Sequence, residues 1–206
     1  MNKKMLIFGV LIFMTACSEE TKKSVSKEVE TIVEVPAGIE AQMVPFDLKG
    51  DTERANLIAE VTITEKIEEV DEKPIPYTVF RAEVNEIFKG ELNRKEITIK
   101  KSGNSEWVVN HNKMYESGEK YILFLKETLA SKSDYWVLGE DTGEFQIIDN
   151  ATIAKLKVPI EEFKEIELNN PKAISETLKQ KDTSNTQVID KEGFIEIVKR
   201  EIERGK

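Results

Sequence analysis

Apolar and polar residues begin to alternate with a period of two at Leu57, and this alternation constrains the fold more than any other feature. In the stretch LIAEVTITEKI, one side of an extended chain is apolar and the other side is polar or charged. The apolar side consists of Ala59, Val61, Ile63 and Ile67. A period of two is typical of a strand with one buried face. The stretch therefore predicts a half-buried strand.

Further strands are predicted up to about residue 150. The segment EEVDEKPIP, which follows the first strand, is acidic and contains two prolines, so we expect it to form a solvent-exposed loop. In EITIK we expect Ile97 and Ile99 to point inward, whereas YILFL is apolar at every position, as in a strand covered on both faces. The segments DYWVLG and EFQIID complete the set. In the second strand, YTVFRAEVNEIF, the residues expected on one face are Thr78, Phe80, Ala82, Val84 and Phe88.

These strands predict a mainly β fold. Their similar lengths, with no helical period between them, favour a closed or nearly closed antiparallel barrel of five or six strands, of the OB type. A β-sandwich is the main alternative, although roughly 95 residues are few for two full sheets. We assign the barrel domain to residues 51–150.

The region 151–206 has a helical pattern. Asn170 and Pro171 suit the start of one helix, which would carry Ile174 and Leu178 on one side. A second amphipathic helix is predicted to begin at Asp190. Its apolar face consists of Phe194, Ile195, Val198 and Ile202. We expect this face to pack on the open end or the outer wall of the barrel, and partner binding is the alternative.

The N-terminus has the layout of a secretory signal. Lys3 and Lys4 precede an apolar run at positions 5–14, and two small residues follow that run. The run is much shorter than the roughly 20 residues that a membrane-spanning helix needs. Residues 1–16 are therefore predicted to be a signal peptide.

Met14-Thr15-Ala16-Cys17 resembles the lipobox of bacterial lipoproteins. The resemblance implies a diacylglyceryl thioether on Cys17, cleavage before it, and attachment to the extracytoplasmic face of the cell membrane. The alternative is an ordinary secretory signal with a chance cysteine. Because the chain contains one cysteine, no disulfide within it is possible.

Residues 17–50 are predicted to be a flexible tether, because their first half is rich in Ser, Thr, Lys and Glu. The alternative is a short strand that docks on the domain. Its residues would be Val29, Ile32, Val33 and Val35.

The net charge of the chain limits the kinds of partner that it can bind. The chain has 39 acidic and 30 basic residues, and its formal net charge is −9. Because nucleic acid is itself strongly negative, we expect no nucleic-acid partner.

Three segments carry a further resemblance: EIFKGELNRKEITI, SGEKYILFL and YWVLGEDTGEFQI. They resemble recurring pieces of an uncharacterised domain in secreted proteins and lipoproteins of low-GC Gram-positive bacteria. That domain is similar in architecture to the OB-like barrel of tissue inhibitors of metalloproteinases and netrin modules. The inhibitors use a free N-terminal cysteine, held by disulfides, to reach a catalytic zinc. Here Cys17 is the predicted lipid site, so the inhibitory function does not carry over.

Few residues suggest catalysis. His111 is the single histidine, which excludes a zinc site of ordinary composition, and neither a G-x-S-x-G elbow nor a phosphate-binding glycine loop occurs. We expect no metal and no cofactor. Four acidic residues could suggest calcium, but a turn between strands explains them better. They are Glu140, Asp141, Glu144 and Asp149.

The sequence thus favours a lipid-anchored, non-catalytic binding or interaction module with an unknown protein or small-molecule partner. The alternative is an extracytoplasmic hydrolase that uses carboxylates in a cleft. The long segment SGNSEWVVNHNKMYESG contains the candidate contact residues Trp107, His111 and Tyr115, since long loops and aromatic residues often serve binding. In the other interpretation, Trp107–Val109 is a short strand, Trp107 caps the core and His111 is solvated.

Overall fold

A computed structural model describes residues 37–40, 42, 44–140, 142–156, 159–168 and 186–206. These residues belong to one compact unit, Val35–Lys206. The predicted signal peptide, Cys17 and the first part of the tether lie outside them. So do the following residues named above: Val29, Ile32, Val33, Val35, Asp141, Asn170, Pro171, Ile174 and Leu178.

Ten strands and three helices occur in the described part of the chain. The strands are β1 (Ala37–Ile39), β2 (Leu57–Val70), β3 (Tyr77–Lys89), β4 (Glu96–Ser102), β5 (Trp107–Val109), β6 (Lys120–Glu127), β7 (Asp134–Val137), β8 (Glu144–Ile147), β9 (Thr152–Lys155) and β10 (Gln187–Asp190). The helices are α1 (Leu48–Arg54), a 3-10 helix (Glu161–Ile166) and α2 (Lys191–Arg204).

Five strands close into a barrel in the order β2-β3-β4-β7-β6, and β6 returns to β2. This confirms the predicted OB-like barrel. The barrel is antiparallel, as predicted, at every neighbouring pair except one, because β4 and β7 run parallel. The reason is geometric: an odd number of strands cannot close with every neighbouring pair antiparallel.

The barrel interior is filled by the residues that the alternation predicted. Ala59, Val61 and Ile63 are buried, as are Ile97 and Ile99. They pack with Leu57 of β2, with Tyr115 from the segment between β5 and β6, and with residues of β3, β6 and β7. The residues of these three strands are Phe80, Ala82, Tyr121, Leu123, Leu125, Tyr135 and Val137.

The prediction fails beyond Ile63. The β2–β3 register shifts between Ile63 and Glu65 and again between Lys66 and Glu68. Each extra residue breaks the alternation, so Ile67 is 42% exposed instead of buried. Strand β2 also continues to Val70, which makes the acidic loop shorter than expected.

A second core, which we call the phenylalanine core, lies on the outside of the barrel. Ile58, Ile122 and Phe124 reach it from β2 and β6 and pack with α1, the 3-10 helix and α2. Phe88 belongs to it as well, and not to the barrel interior as predicted. Its five closely packed rings have centroids 4.6–6.3 Å apart. They are Phe46, Phe124, Phe145, Phe163 and Phe194.

Helix α2 begins where the sequence predicted, and the side chain of Asp190 caps it by accepting a 2.7 Å hydrogen bond from the Gly193 N–H. Phe194, Val198 and Ile202 are buried in the phenylalanine core, and Ile195 packs at its edge. The helix therefore covers part of the outer surface of the barrel. Among the described helices, none is long and apolar enough to cross a bilayer.

Two segments differ from the predicted organisation. The region after residue 150 contains strands β9 and β10, which extend the sheet from β8, where we expected only helices. These strands have four residues each, too few for a clear period of two. In the predicted tether, β1 pairs with β5 and Leu48 of α1 is buried. The chain thus joins the folded part by Ala37, well before residue 50.

Candidate functional site

The predicted contact loop leaves two of its three residues at the surface. Trp107 lies in the short strand β5, which pairs in parallel with β1, and 40% of its surface is exposed. His111 is exposed at a tight turn in which Asn110 and His111 have φ of 51° and 56°. The short-strand interpretation is therefore confirmed for β5, but Trp107 does not cap the core.

Tyr115, the third residue, is buried in the barrel interior. The centroid of its ring lies 5.2 Å from that of Phe80 and 4.8 Å from that of Tyr121. Its side chain stabilises the barrel and is not presented to a partner. The three predicted contact residues thus do not form one surface.

Tyr115 is part of a polar cluster at the mouth of the barrel. The Glu144 carboxylate receives hydrogen bonds of 2.6 Å from both the Lys101 ammonium and the Tyr115 hydroxyl. The Lys101 nitrogen also lies 4.3 Å from the centroid of the Tyr115 ring. Both charged side chains are largely buried, with 5% of Lys101 and 13% of Glu144 exposed.

This ion pair bridges an opening between strands. Strand β7 pairs with β4 only at Thr98–Lys100. Along β6, β7 pairs with the second half of the strand and β8 pairs with the first half. No backbone pairing is described between the end of β4 and β8. The Lys101–Glu144 contact connects them instead.

Glu119 anchors the same loop from the other side. Its carboxylate accepts a 2.9 Å hydrogen bond from the Tyr121 hydroxyl and pairs at 2.9 Å with Lys113. Burial raises the pKa of Tyr121, and the carboxylates of Glu144 and Glu119 raise it further, so the phenol stays protonated and donates. Burial alone would lower the pKa of Lys113, but its pairs with Glu119 and Glu116 raise it overall. The ammonium thus stays charged.

A different surface, which we call the outer wall, is formed by the outward side chains of β3, β4 and β7. Val79, Lys100 and Trp136 lie directly opposite one another in neighbouring strands. Two residues along the strands, Arg81, Thr98 and Asp134 form a second row. The residues between the two rows, such as Phe80 and Ile99, point into the barrel.

Two aromatic rings and a lysine stand together on the outer wall. The ring centroids of Tyr77 and Trp136 are 5.3 Å apart, and the rings meet edge to face. The Lys100 ammonium lies 5.0 Å from the Tyr77 centroid and 6.0 Å from the Trp136 centroid. All three side chains are half-buried, so part of each is accessible.

A cleft of about 670 Å³ continues along the second row. It is lined by three cationic side chains, Arg81, Arg94 and Lys95, and by the carboxylates of Glu83 and Glu96. Arg81 also forms an ion pair with Glu65 of β2. The cleft and the aromatic group thus combine stacking surface with charges of both signs.

The outer wall cannot be found from the inward residues of the strands alone. The sequence feature that marks the outer wall is the set of outward positions in the same strands. At these positions, Tyr77, Arg81, Lys100 and Trp136 alternate with core residues. Recognising it required knowing which strands are neighbours.

The described residues provide no arrangement suited to a metal ion. No group of three His, Cys, Asp or Glu side chains suited to a metal ion occurs among the described residues. Glu144 is engaged by Lys101, and Asp149 accepts a 2.8 Å hydrogen bond from the Ala151 N–H within a turn. Glu140 lies in the turn before β8, Glu144 is the first residue of β8, and Asp149 lies in the bend that follows the strand.

Comparison with known proteins does not assign the chain to a family. No protein-family model matches the chain, and a search of curated proteins found no match. What the fold defines is a protein with an OB-like barrel.

Proposed function

We propose that the protein is a non-catalytic binding module, held at the extracytoplasmic face of the cell membrane by a lipid on Cys17, and that it binds its ligand with the outer wall. The observation that carries the proposal is the group formed by Tyr77, Lys100 and Trp136 beside a charged cleft. OB folds bind oligonucleotides and oligosaccharides on the face of their second and third strands, which correspond here to β3 and β4. The correspondence of these strands is an analogy between folds.

The packing of the barrel supports the choice of surface. The interior is filled by side chains, and the phenylalanine core covers the outer side of β2 and β6. The outer wall instead exposes aromatic and charged groups on three adjoining strands. Such groups favour recognition, because aromatic rings give large contact areas and charges give specificity.

A binding role also fits the state of the buried carboxylates. Glu144 and Glu119 each accept hydrogen bonds from a tyrosine and a lysine of the protein itself. Groups satisfied in this way hold structural elements together. The hydrolase alternative would have to use other carboxylates, such as those of Glu83 and Glu96 in the cleft.

The lipid anchor is supported by the sequence of residues 14–17 and by the apolar run before them. Replacing Cys17 with Ala is expected to release the protein from the membrane fraction while the barrel remains folded. Partition between detergent and water, measured beside the parent protein, checks this. Equal partition of the two proteins would refute the anchor.

Site-specific cross-linking in native membranes tests the binding surface. A photoreactive residue in place of Thr98, within the cleft, is expected to form an adduct with a cell-envelope component. The same residue in place of Lys49, which is exposed on α1, is the control. An adduct at both positions, or at neither, would argue against the outer wall as the binding surface.

A further inference from the structure

We infer that the ligand of the outer wall is an anionic polysaccharide, a chain of sugars in which charged groups are spaced apart along the polymer. The inference rests on the proposed function, because it names the ligand class of the same surface.

The cationic groups point to an anionic ligand. Arg94 and Lys95 are exposed in the cleft, and Lys100 contacts only the rings of Tyr77 and Trp136 among its described ionic and aromatic contacts. The whole chain has a net charge of −9, yet the cleft gathers three cations and two carboxylates. The net charge of the outer wall is therefore more positive than that of the rest of the molecule.

The rings supply a second kind of contact. The accessible parts of Tyr77 and Trp136 can pack against the apolar C–H faces of sugar rings, and Lys100 beside them can pair with a carboxylate or phosphate. Two residues along a strand span about 6.6 Å. The aromatic group and the cleft thus present successive contact points to an extended chain.

The carboxylates distinguish a polysaccharide from nucleic acid. Glu83 and Glu96 line the cleft, and Asp134 lies in the same row as Thr98. A nucleic-acid strand carries one negative charge about every 3.4 Å, so it would meet these carboxylates unfavourably. Sugar hydroxyls can donate hydrogen bonds to the same carboxylates between more widely spaced anionic groups. The mixture of charges therefore suits a polyhydroxyl chain that is less densely charged than nucleic acid.

Matched polymers test the inference. The full-length protein in detergent, with Trp107→Phe so that Trp136 is the one remaining tryptophan, is titrated and its fluorescence recorded. The probes are polygalacturonate, the same polymer fully methyl-esterified, and single-stranded oligothymidylate. We expect polygalacturonate to bind at least about tenfold more tightly than its neutral ester, since charge-assisted hydrogen bonds are lost in the ester. Oligothymidylate is expected to bind more weakly than polygalacturonate.

Two variants test whether polygalacturonate binds at the outer wall. The double variant Arg94→Gln, Lys95→Gln is expected to weaken polygalacturonate binding about tenfold or more. Arg200→Gln, which removes an exposed arginine from α2, is the control and is expected to leave binding unchanged.

The outcomes separate the two proposals. Equal binding of the ester, tighter binding of oligothymidylate, or no binding of polygalacturonate would overturn the ligand class. If the photoreactive residue at position 98 still gave its adduct, the outer wall would remain the binding surface. If that adduct were also absent, the proposed function would fall as well.

Discussion

The barrel interior and the phenylalanine core lie on opposite faces of the same strand, β6, yet they are built differently. The barrel takes Tyr121, Leu123 and Leu125 from that strand and packs them mainly against aliphatic residues of neighbouring strands. The phenylalanine core takes Ile122 and Phe124 and surrounds them with rings from β8, the 3-10 helix, α2 and the segment just before α1. One core is assembled by strand pairing, and the other by side chains that are distant in sequence.

This difference explains why the outside of the barrel is uneven. Helices and the 3-10 segment cover the strands that carry large outward apolar residues, such as Ile58 and Phe124. On the outer wall, Arg81, Thr98 and Lys100 occupy the outward positions, which cannot form an apolar core. The choice of outward residues thus determines which half of the barrel is covered and which half stays exposed.

The largest effect is expected in the phenylalanine core. Phe145 is fully buried and its ring contacts those of Phe46, Phe124, Phe163 and Phe194. Phe145→Ala is expected to lower the free energy of unfolding by about 3–5 kcal/mol, measured by urea denaturation. A loss below about 1 kcal/mol would show that this core adds little to the stability of the barrel.

The barrel interior is tested by Ile63→Ala, for which we expect a loss of about 2–5 kcal/mol, and by Leu123→Ala, for which we expect the same. Both residues are fully buried. Thr62 points the other way and accepts a hydrogen bond from the exposed Asn85 side chain, so Thr62→Ala is the control and should cost far less. Equal small losses at all three positions would contradict the register of β2.

A smaller effect is expected at the start of α2. Asp190→Ala removes the cap on the Gly193 N–H and should cost about 1 kcal/mol of stability. Asp190→Asn retains a side-chain oxygen that can accept the same hydrogen bond, so this variant should be close to the parent. If both variants lost the same amount, the charge of Asp190 and not its cap would be responsible.

The smallest effect concerns the exposed hairpin of β2 and β3. Hydrogen bonds from Lys66 and Ser105 lower the pKa of Glu69 from 4.5 to about 2. A lowered pKa means that Glu69 stabilises the fold above about pH 4.5 and that this contribution is lost as the pH falls towards 2. The contribution is expected to stay below about 1 kcal/mol, since the pair with Lys66 lies at the surface.

Comparing the urea midpoints of the parent and Glu69→Gln at several pH values checks this expectation. The difference between them should shrink on acidification below about pH 4.5. A difference that stays constant down to pH 2 would contradict the role assigned to the carboxylate.

The predictable parts of the fold are those in which apolar residues repeat regularly within one segment of the chain. Ile63 and Ile97 could be placed inside from alternation alone, and α2 could be placed from Asp190 and its apolar stripe. The β-bulges that expose Ile67 leave no local signal, because they depend on how β3 pairs with β2. The four-residue strands β9 and β10 are too short for a pattern and form because β8 offers an edge.

The candidate site was less predictable. Trp107 lies at the surface in β5 and His111 in the turn that follows, whereas Tyr115 of the same predicted loop is buried and contacts Glu144 and Tyr121. The outer wall joins Tyr77 to Trp136, which are far apart in the chain. Such a surface is determined by the β4–β7 pairing, which no single segment encodes.

Strand β6 also has a consequence for the way the molecule opens. Its backbone pairs with β2, β7 and β8, and its two faces contribute to both cores. Neither core can be exposed to water by moving β6 without breaking the other. Amide hydrogens of β6 should therefore exchange with solvent only when the whole domain unfolds, whereas those of β1, paired with β5 alone, can exchange through local opening.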